Sequence, residues 1–470
     1  MPTIKPLTRA LLSALALAAL LALATPATAR ERDLIVLAVG PETTEILRRL
    51  GEPLARAADL PPEEVRFHVV LNPALNAFAL PNRNIVFNSG LLLAVKDRDE
   101  LAGVMAHEIG HLKAGHHMQL ESLTKRLSIQ TMISAAAGLI AAMASRNGQV
   151  GQAVISGGAG SAQLDMLEAI RNKESQSDRI AVSLLAKTGF NPEGLASFMN
   201  RLVQQQRIST LPPPYLLTHP ITTERLLDSK RMAAEEPRST PRAGDVEENL
   251  LLARARSVLE AESNEYPEES IVRFQSRLRL EPNDLALEQG LAESLRAAGR
   301  LPEAEALWNK LLKNHPGDPY LLRHRGVTRT ELGLFAEAAK DFEEASQKLP
   351  EQPDLLFRQA FAFKELKKPR EAIRILRKLA SKDPDEPRYW YLLGLVESDA
   401  GHAGEGHLAM GRYNALILER NNALWHFQEA IRLLPNGSTE QAIAREELKQ
   451  ARKIEVKRVP EEGERERKRR

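Results

Sequence analysis

The chain has 470 residues, too many for one hydrophobic core, so we expect at least two domains. Hydrophobic residues make up 43% and charged residues 27%, as in ordinary soluble proteins, and a net charge of +2 argues against a nucleic-acid-binding protein. Because there is no cysteine, disulfides, a lipid-anchored cysteine and thiol chemistry are excluded.

The N-terminus has the pattern of an export signal. Lys5 and Arg9 make its start positive, an apolar run follows at 10–24, and Ala27-Thr28-Ala29 offers small residues for cleavage. The apolar run is shorter than the ~20 residues of a membrane-spanning helix. We therefore predict a signal peptide that is cleaved after Ala29, which would place the mature chain outside the cytoplasm.

The next elements are strands and then a helix. Residues 65–71 predict a strand, and residues 76–87, interrupted by Pro81-Asn82-Arg83-Asn84, predict a β-hairpin. Asp97 is the predicted N-cap of the following helix, with Glu100 placed three residues later as in a capping box.

This helix contains the sequence His107-Glu108-Ile109-Gly110-His111. Positions i and i+4 share one face of a helix, so the two imidazoles converge on one point. Neutral imidazole suits zinc, and a catalytic zinc takes three protein ligands and keeps one position for water. Glu108 could take the proton of that water. The alternative is a surface helix that carries two histidines by chance, and we favour the metallopeptidase site.

Two residues compete for the third ligand position. His117 follows His107 by ten residues, the separation of the HExxHxxGxxH class, but Ala114 occupies the glycine position of that class. Glu174 and Asp178 are again i and i+4 on a predicted helix, so Glu174 could bind the metal while Asp178 supports a ligand histidine. The plainer explanation of Glu174 and Asp178 is that they form an acidic, solvent-exposed helix face. We favour Glu174.

An apolar run at 127–143 and a glycine-rich segment at 148–160 follow the helix. The run is too short to span a membrane comfortably, so a buried or membrane-apposed helix is the prediction. Possible contact with a membrane surface through 127–143 stays open.

The second half of the chain repeats with a period of 34 residues. Prolines, turn positions and small positions each recur at this spacing: Pro282, Pro316, Pro350 and Pro384; Gly299, Gly333, Lys367 and Gly401; Ala304, Ala338, Ala372 and Gly406. This is the signature of tetratricopeptide repeats, which form concave peptide-binding surfaces. After Gly406 the pattern arrives 17 residues late, which predicts a half-repeat insertion.

These observations predict an α+β zincin-like (gluzincin) peptidase domain, mostly helical with a small sheet, followed by an all-α repeat solenoid. The predicted boundaries are a signal peptide at 1–29, a peptidase domain at 30–235, a linker at 236–247, a repeat domain at 248–452 and a charged, disordered tail at 453–470.

The segments 107–116 and 172–179 resemble the HtpX and CAAX-prenyl-protease family of zinc peptidases, whose soluble exported branch adds tetratricopeptide repeats. The resemblance implies one zinc ion per chain, held by His107, His111 and Glu174, with Glu108 as catalytic base and Asp178 in a supporting position.

Two further segments share this resemblance. Thr218-His219-Pro220, with Arg225 behind it, resembles a THPxTxxR segment, and in the exported branch a histidine there can approach the zinc and keep the enzyme latent. His219 is therefore the implied regulatory fourth ligand. Asn76, Ala77 and Phe78 resemble a sheet edge that can bind an unfolded substrate as an added strand.

The resemblance implies a periplasmic endopeptidase that degrades misassembled outer-membrane proteins, with the repeats docking clients or the outer-membrane assembly machinery. The alternative is a chaperone or adaptor that acts through the repeats, with a latent metal site. No nucleic-acid partner is expected.

Overall fold

A computed structural model describes residues 40–115, 160–206, 215–216, 219–237 and 244–453, without the side chains of 160–171 and 205–206. The chain divides between Ser294 and Leu295 into two compact units. Several predicted features lie outside the described residues: the signal peptide, His117, the apolar run at 127–143, the glycine-rich segment up to 159 and the tail after Lys453.

The first unit contains a three-stranded sheet of β1 (Arg66–Val70), β2 (Ala77–Leu80) and β3 (Asn84–Asn88). The strand order is β1-β3-β2, with β1 parallel and β2 antiparallel to β3. β2 and β3 form the hairpin that the sequence predicts, and Asn82 at φ 59° helps to make its turn because asparagine tolerates this left-handed conformation. β2 is thus an outer strand, paired on one side among the described residues.

The described residues of the first unit up to Leu280 also form eight α-helices: α1 (Pro41–Ala57), α2 (Ser89–Ala94), α3 (Arg98–Lys113), α4 (Gly160–Thr188), α5 (Gly194–Gln206), α6 (Thr223–Glu235), α7 (Asp245–Ser263) and α8 (Pro267–Leu280). The central one is α3, which packs against α1, α4 and α5. Arg98 and residues 100–110 of α3 are buried, so this helix, which carries the HExxH sequence, runs through the core.

A buried ion-pair network joins α3 to α7. The guanidinium group of Arg98, only 2% exposed, pairs with Glu248 and lies 2.5 Å from Asp245, and the Arg98 amide donates to Asn249 Oδ1 at 3.0 Å. Removing one partner of a buried ion pair is strongly destabilising, because it leaves the other charge buried and uncompensated. The pairs of Arg98 therefore hold α7 to α3. The compact unit therefore continues past the linker predicted at 236–247.

The second unit is a helical repeat array. α9 (Leu285–Ala297) crosses the division between the units, and nine helices follow: α10 (Leu301–Asn314), α11 (Pro319–Glu331), α12 (Phe335–Lys348), α13 (Pro353–Glu365), α14 (Pro369–Lys382), α15 (Pro387–Asp399), α16 (Ala403–Leu416), α17 (Arg420–Leu433) and α18 (Thr439–Ala451). The four predicted turn positions all have positive φ, which explains why three of them are glycine: Gly299, Gly333, Lys367 and Gly401.

The predicted fold class, a mostly helical peptidase domain with a small sheet followed by helical repeats, is confirmed. Successive helices from α9 to α17 begin 16–18 residues apart, so this spacing is regular and the half-repeat insertion stays a prediction. In the described part of the chain, no helix has both the length and the apolar character needed to cross a membrane.

Candidate active site

The start of the catalytic helix α3 is fixed by side chains. Asp97 caps it, accepting from the amides of Asp99 at 3.1 Å and Glu100 at 3.0 Å. The Glu100 carboxylate does not close the predicted capping box on Asp97; it accepts from the amide of Lys96 and from Ser197 Oγ, each at 2.8 Å. The capping box does not form because Ser197 of α5 binds the Glu100 carboxylate instead. These two residues are 97 positions apart in the sequence.

Four side chains of the first unit converge on one point. His107 and His111 of α3, Glu174 of α4 and His219 each offer one ligand atom, and the four atoms lie within 4.8 Å of one another. The Nε2 atoms of His107 and His111 are 3.1 Å apart. These rings meet because i and i+4 residues share a helix face.

Glu174 and His219 complete the group. The Glu174 oxygens lie 3.4 Å from His107 Nε2, 3.3 Å from His111 Nε2 and 3.1 Å from His219 Nδ1. His219 Nδ1 is also 3.3 Å from His107 Nε2. Glu174 and His219 are buried, and the His111 side chain is 12% exposed, so the group faces a narrow opening.

This donor set fits a bound transition-metal ion. Ligand atoms held about 2.0–2.1 Å from zinc in a tetrahedron are about 3.3 Å apart, and five of the distances within this group are 3.1–3.4 Å. Three imidazoles and one carboxylate are also the ligand types that zinc prefers. The group therefore has the spacing and the chemistry of a metal centre.

A second layer of polar contacts holds the ligands in place. Asp178 Oδ1 lies 2.9 Å from His107 Nδ1, so it can keep the proton there and leave the Nε2 lone pair for a metal. Arg225 donates to both oxygens of Asp178 at 2.8 and 2.9 Å, and its Nη1 lies 3.1 Å from Glu174 Oε2. Arg225 thus links the supporting aspartate to the ligand glutamate.

Glu108 is fully buried beside this group. Neither of its carboxylate oxygens has a hydrogen-bond partner among the described residues, although His219 Nε2 lies 3.5 Å from one of them. An unpaired buried carboxylate is costly, so one at this place is best explained by a water molecule or substrate that it serves. The residue predicted to be the base therefore has the environment that the role needs.

The electrostatics of the site favour positive charge at its centre. Burial alone would lower the pKa of His107, but Asp178 and Glu174 raise it to about 10. Burial would raise the pKa of Glu174, but the His219 charge and hydrogen bonds from three histidines hold this pKa far below its usual range. For His111, burial lowers the pKa, which favours the neutral imidazole that binds a metal.

The remaining predicted residues lie at the sheet edge. Asn76 precedes β2, and Ala77 and Phe78 begin it. The segment that carries His219 touches this place, because the Tyr215 amide donates to Leu75 O at 3.0 Å. Sequence reasoning missed Tyr215, whose ring centroid is 4.7 Å from that of His219. Its only sequence signal is its position four residues before a histidine.

Comparison with known proteins places these features in a family. Residues 41–233 match the profile of peptidase family M48, and residues 290–353 and 330–396 match tetratricopeptide-repeat profiles. The beta-barrel assembly-enhancing protease of Yersinia pestis is 28% identical over 416 residues, covering 88% of this chain and 84% of that protein. The protein of the same name from Escherichia coli K12 is 27% identical, covering 89% and 85%.

Among solved structures, MamA from Desulfovibrio magneticus RS-1 resembles 37% of the chain and 95% of that protein, at 18% identity and a TM-score of 0.29, too weak a likeness for any argument. The sequence matches and the buried metal-ligand group agree with each other. The chain is a metalloendopeptidase with a domain of peptidase family M48, followed by tetratricopeptide repeats.

Proposed function

We propose that this chain is a periplasmic zinc endopeptidase that hydrolyses misassembled outer-membrane proteins. The observation that carries the proposal is the group of His107, His111, Glu174 and His219 beside the buried carboxylate of Glu108, whose oxygens accept no hydrogen bond from the described residues. The first three residues would hold one zinc ion per chain. Zinc is the best match because two imidazoles and a carboxylate are the ligands of many zinc peptidases.

The roles of the side chains follow from their positions. When bound, zinc would polarise the substrate carbonyl and lower the pKa of the attacking water. Glu108 takes the proton of that water and delivers it to the leaving amine. Asp178 contacts His107 and Arg225, so it acts through His107 and is a positioning residue.

Zinc dependence tests this proposal. Prolonged chelation should abolish casein cleavage, and one equivalent of Zn²⁺ per chain should restore it, because Glu108 alone cannot activate water sufficiently. Cleavage would be followed by fluorescence and metal content by atomic absorption. Magnesium added at the same concentration is the control and should restore nothing, because its hard ligand preference does not suit imidazoles. Full activity in metal-free protein would refute the proposal.

His219 supports a resting state with low activity. Its Nδ1 lies among the three proposed zinc ligands, in the place that a catalytic zinc keeps for water or substrate. We therefore propose that His219 is a fourth ligand that must leave before catalysis.

The variant His219→Ala is expected to cleave casein about tenfold faster than the wild type at equal zinc occupancy, because the position for water is then open. The control is His315→Gln, an exposed histidine of the repeat array, which should leave the rate unchanged. A His219→Ala variant with unchanged or lower kcat and full zinc content would show that His219 does not restrain the enzyme.

The outer edge of β2 supports binding of extended substrates. Asn88 N donates to Asn76 O, so even-numbered residues of β2 face β3, and the N–H and C=O groups of Ala77 and Ala79 point to the free edge. Leu75 O, on the same side, accepts from Tyr215 N. An unfolded segment would add to this edge as a further strand, through main-chain bonds that tolerate many sequences.

Ala79→Pro is designed to remove one outward N–H without breaking the pairing with β3. The KM for an unfolded protein substrate should rise about three- to tenfold with kcat unchanged, since one net hydrogen bond is worth about 0.5–1.5 kcal/mol. Ala79→Val keeps the N–H and is the matched control. If both variants changed KM equally, the effect would be one of packing, and edge binding would lose its support.

The clients and compartment are inferred from relatives. Two relatives carry names that refer to β-barrel assembly, and the chain matches 84–85% of their length. We infer outer-membrane β-barrel proteins as substrates and docking of the assembly machinery on the repeats, with export by the predicted signal peptide. Osmotic-shock fractionation tests the compartment; retention in the cytoplasm would contradict it.

A chaperone or adaptor is the second candidate function. The contact of His219 with the proposed zinc ligands favours it, because His219 could keep the peptidase site closed. A site closed at rest would let the repeats bind clients without cleavage. If a strain with the Glu108→Gln protein assembled outer-membrane proteins as well as the wild type, the adaptor function would account for the phenotype.

A further inference from the structure

A second pair of histidines lies in the repeat unit, apart from the peptidase site. His407 of α16 and His426 of α17 face each other, with their Nδ1 atoms 3.0 Å apart. Both side chains are half-buried, so they can be reached from solvent. Neither the peptidase chemistry nor the 34-residue repeat pattern requires histidines at these positions.

We propose that His407 and His426 form a second metal site, which binds Cu²⁺ through their Nδ1 atoms. Neutral imidazole is a good Cu²⁺ ligand, and Cu²⁺ binds a given nitrogen site more tightly than the other divalent first-row metals. Small rotations of the two rings would turn both lone pairs from the shared hydrogen bond towards one ion.

The distance between the nitrogens fits two ligands of one ion. With metal–nitrogen bonds of about 2.0–2.1 Å, a 3.0 Å separation gives an angle of about 95° at the metal. Adjacent ligands of a tetragonal Cu²⁺ site are at about 90°.

The surroundings of the pair suit a cation. Glu429 follows His426 by three residues on α17, so it lies one turn away on the same face. Its hydrogen bond with Arg432, and to a lesser degree the charges of Arg432 and His407, lower the pKa of the Glu429 carboxyl and keep it ionised. Burial and the His407 charge lower the pKa of His426, which favours the neutral ring.

Trp425 provides a reporter for this site. Its ring centroid lies 4.7 Å from that of His426 and 5.3 Å from that of His407, and the side chain is 53% exposed. Bound Cu²⁺ quenches indole fluorescence at such distances. Because His407 is on α16 and His426 is on α17, the ion would join these two helices.

The test titrates the full, Zn²⁺-loaded chain with CuSO₄ in a glycine buffer and measures released zinc by atomic absorption, so that copper that displaces zinc from the peptidase site is counted separately. We expect one Cu²⁺ per chain, an electron paramagnetic resonance spectrum with coupling to two nitrogens, and quenching of tryptophan fluorescence. His407→Gln and His426→Gln should each weaken binding at least about 100-fold, because the second imidazole binds intramolecularly. Casein cleavage should be unchanged in both variants.

Two controls separate this site from other copper binding. His315→Gln changes an exposed histidine elsewhere in the repeats and should bind Cu²⁺ as the wild type does. Trp425→Phe should retain the ion and lose most of the quenching. Wild-type protein that binds no copper beyond its zinc site, or His407→Gln and His426→Gln variants that bind it as tightly as the wild type, would overturn the proposal.

Discussion

Glu108→Gln is expected to reduce casein cleavage by about 10²- to 10⁴-fold, the usual contribution of a general base. The amide has almost the shape of the carboxylate but cannot take a proton from water. Because the Glu108 oxygens have no hydrogen-bond partner among the described residues, the substitution breaks no hydrogen bond there and removes only the charge facing His219 Nε2 at 3.5 Å. The rate would be measured as kcat at saturating casein, after equal zinc loading.

The zinc content of this variant decides the interpretation. Glu108 is not one of the proposed ligands, so Glu108→Gln should still bind one zinc ion and unfold at the wild-type denaturant concentration. Glu193→Gln, an exposed substitution on the segment before α5, is the matched control and should be fully active. Cleavage by Glu108→Gln at the wild-type rate would remove Glu108 from the mechanism and leave the adaptor function as the better account.

The site was predictable from the sequence where it depends on local geometry. His107 and His111 share a helix face by spacing alone, and Asp97 caps that helix as its residue type suggests. Glu174, Asp178 and His219 lie near the histidines as the family resemblance implies, while their individual roles stay predictions. These residues could be predicted from the sequence because each belongs to a short motif.

Other contacts were not predictable because they join distant parts of the chain. Arg225 bonds Asp178 across 47 residues, and Tyr215 contacts the sheet edge at Leu75. Arg98 pairs with Glu248 across 150 residues, which is why the linker composition at 236–247 gave no sign that α7 packs on the catalytic helix. Composition reports a local tendency to turn, whereas the extent of a compact unit depends on long-range packing.

Gly110, the glycine within the HExxH sequence, lies at a close contact between helices α3 and α4. A Cβ atom at Gly110 would lie 2.9 Å from the carbonyl oxygen of Ser177 and 3.2 Å from its Cα. Ser177 belongs to α4, between Glu174 and Asp178. Helices α3 and α4 therefore approach each other closely beside the proposed metal ligands, and a side chain at position 110 would not fit this approach.

Gly110→Ala is expected to lower zinc affinity at least tenfold and casein cleavage about 100-fold. The added methyl group meets backbone, which cannot rotate away, so α3 and α4 must separate and carry His107 and His111 away from Glu174; a displacement of about 1 Å is enough for such a loss of rate. The free energy of unfolding should fall by about 1–3 kcal/mol through overpacking, although alanine favours an isolated helix by about 1 kcal/mol.

Zinc titration and urea unfolding would measure both effects, with Lys113→Ala as the matched control. Lys113 is on the same helix, and its side chain is 36% exposed and pairs with Asp59 at the surface, so its loss should change stability by less than about 0.5 kcal/mol and leave zinc affinity intact. If Gly110→Ala bound zinc normally and were more stable than the wild type, helix propensity would outweigh the contact. The HExxH helix would then tolerate a wider spacing from α4 than this close approach implies.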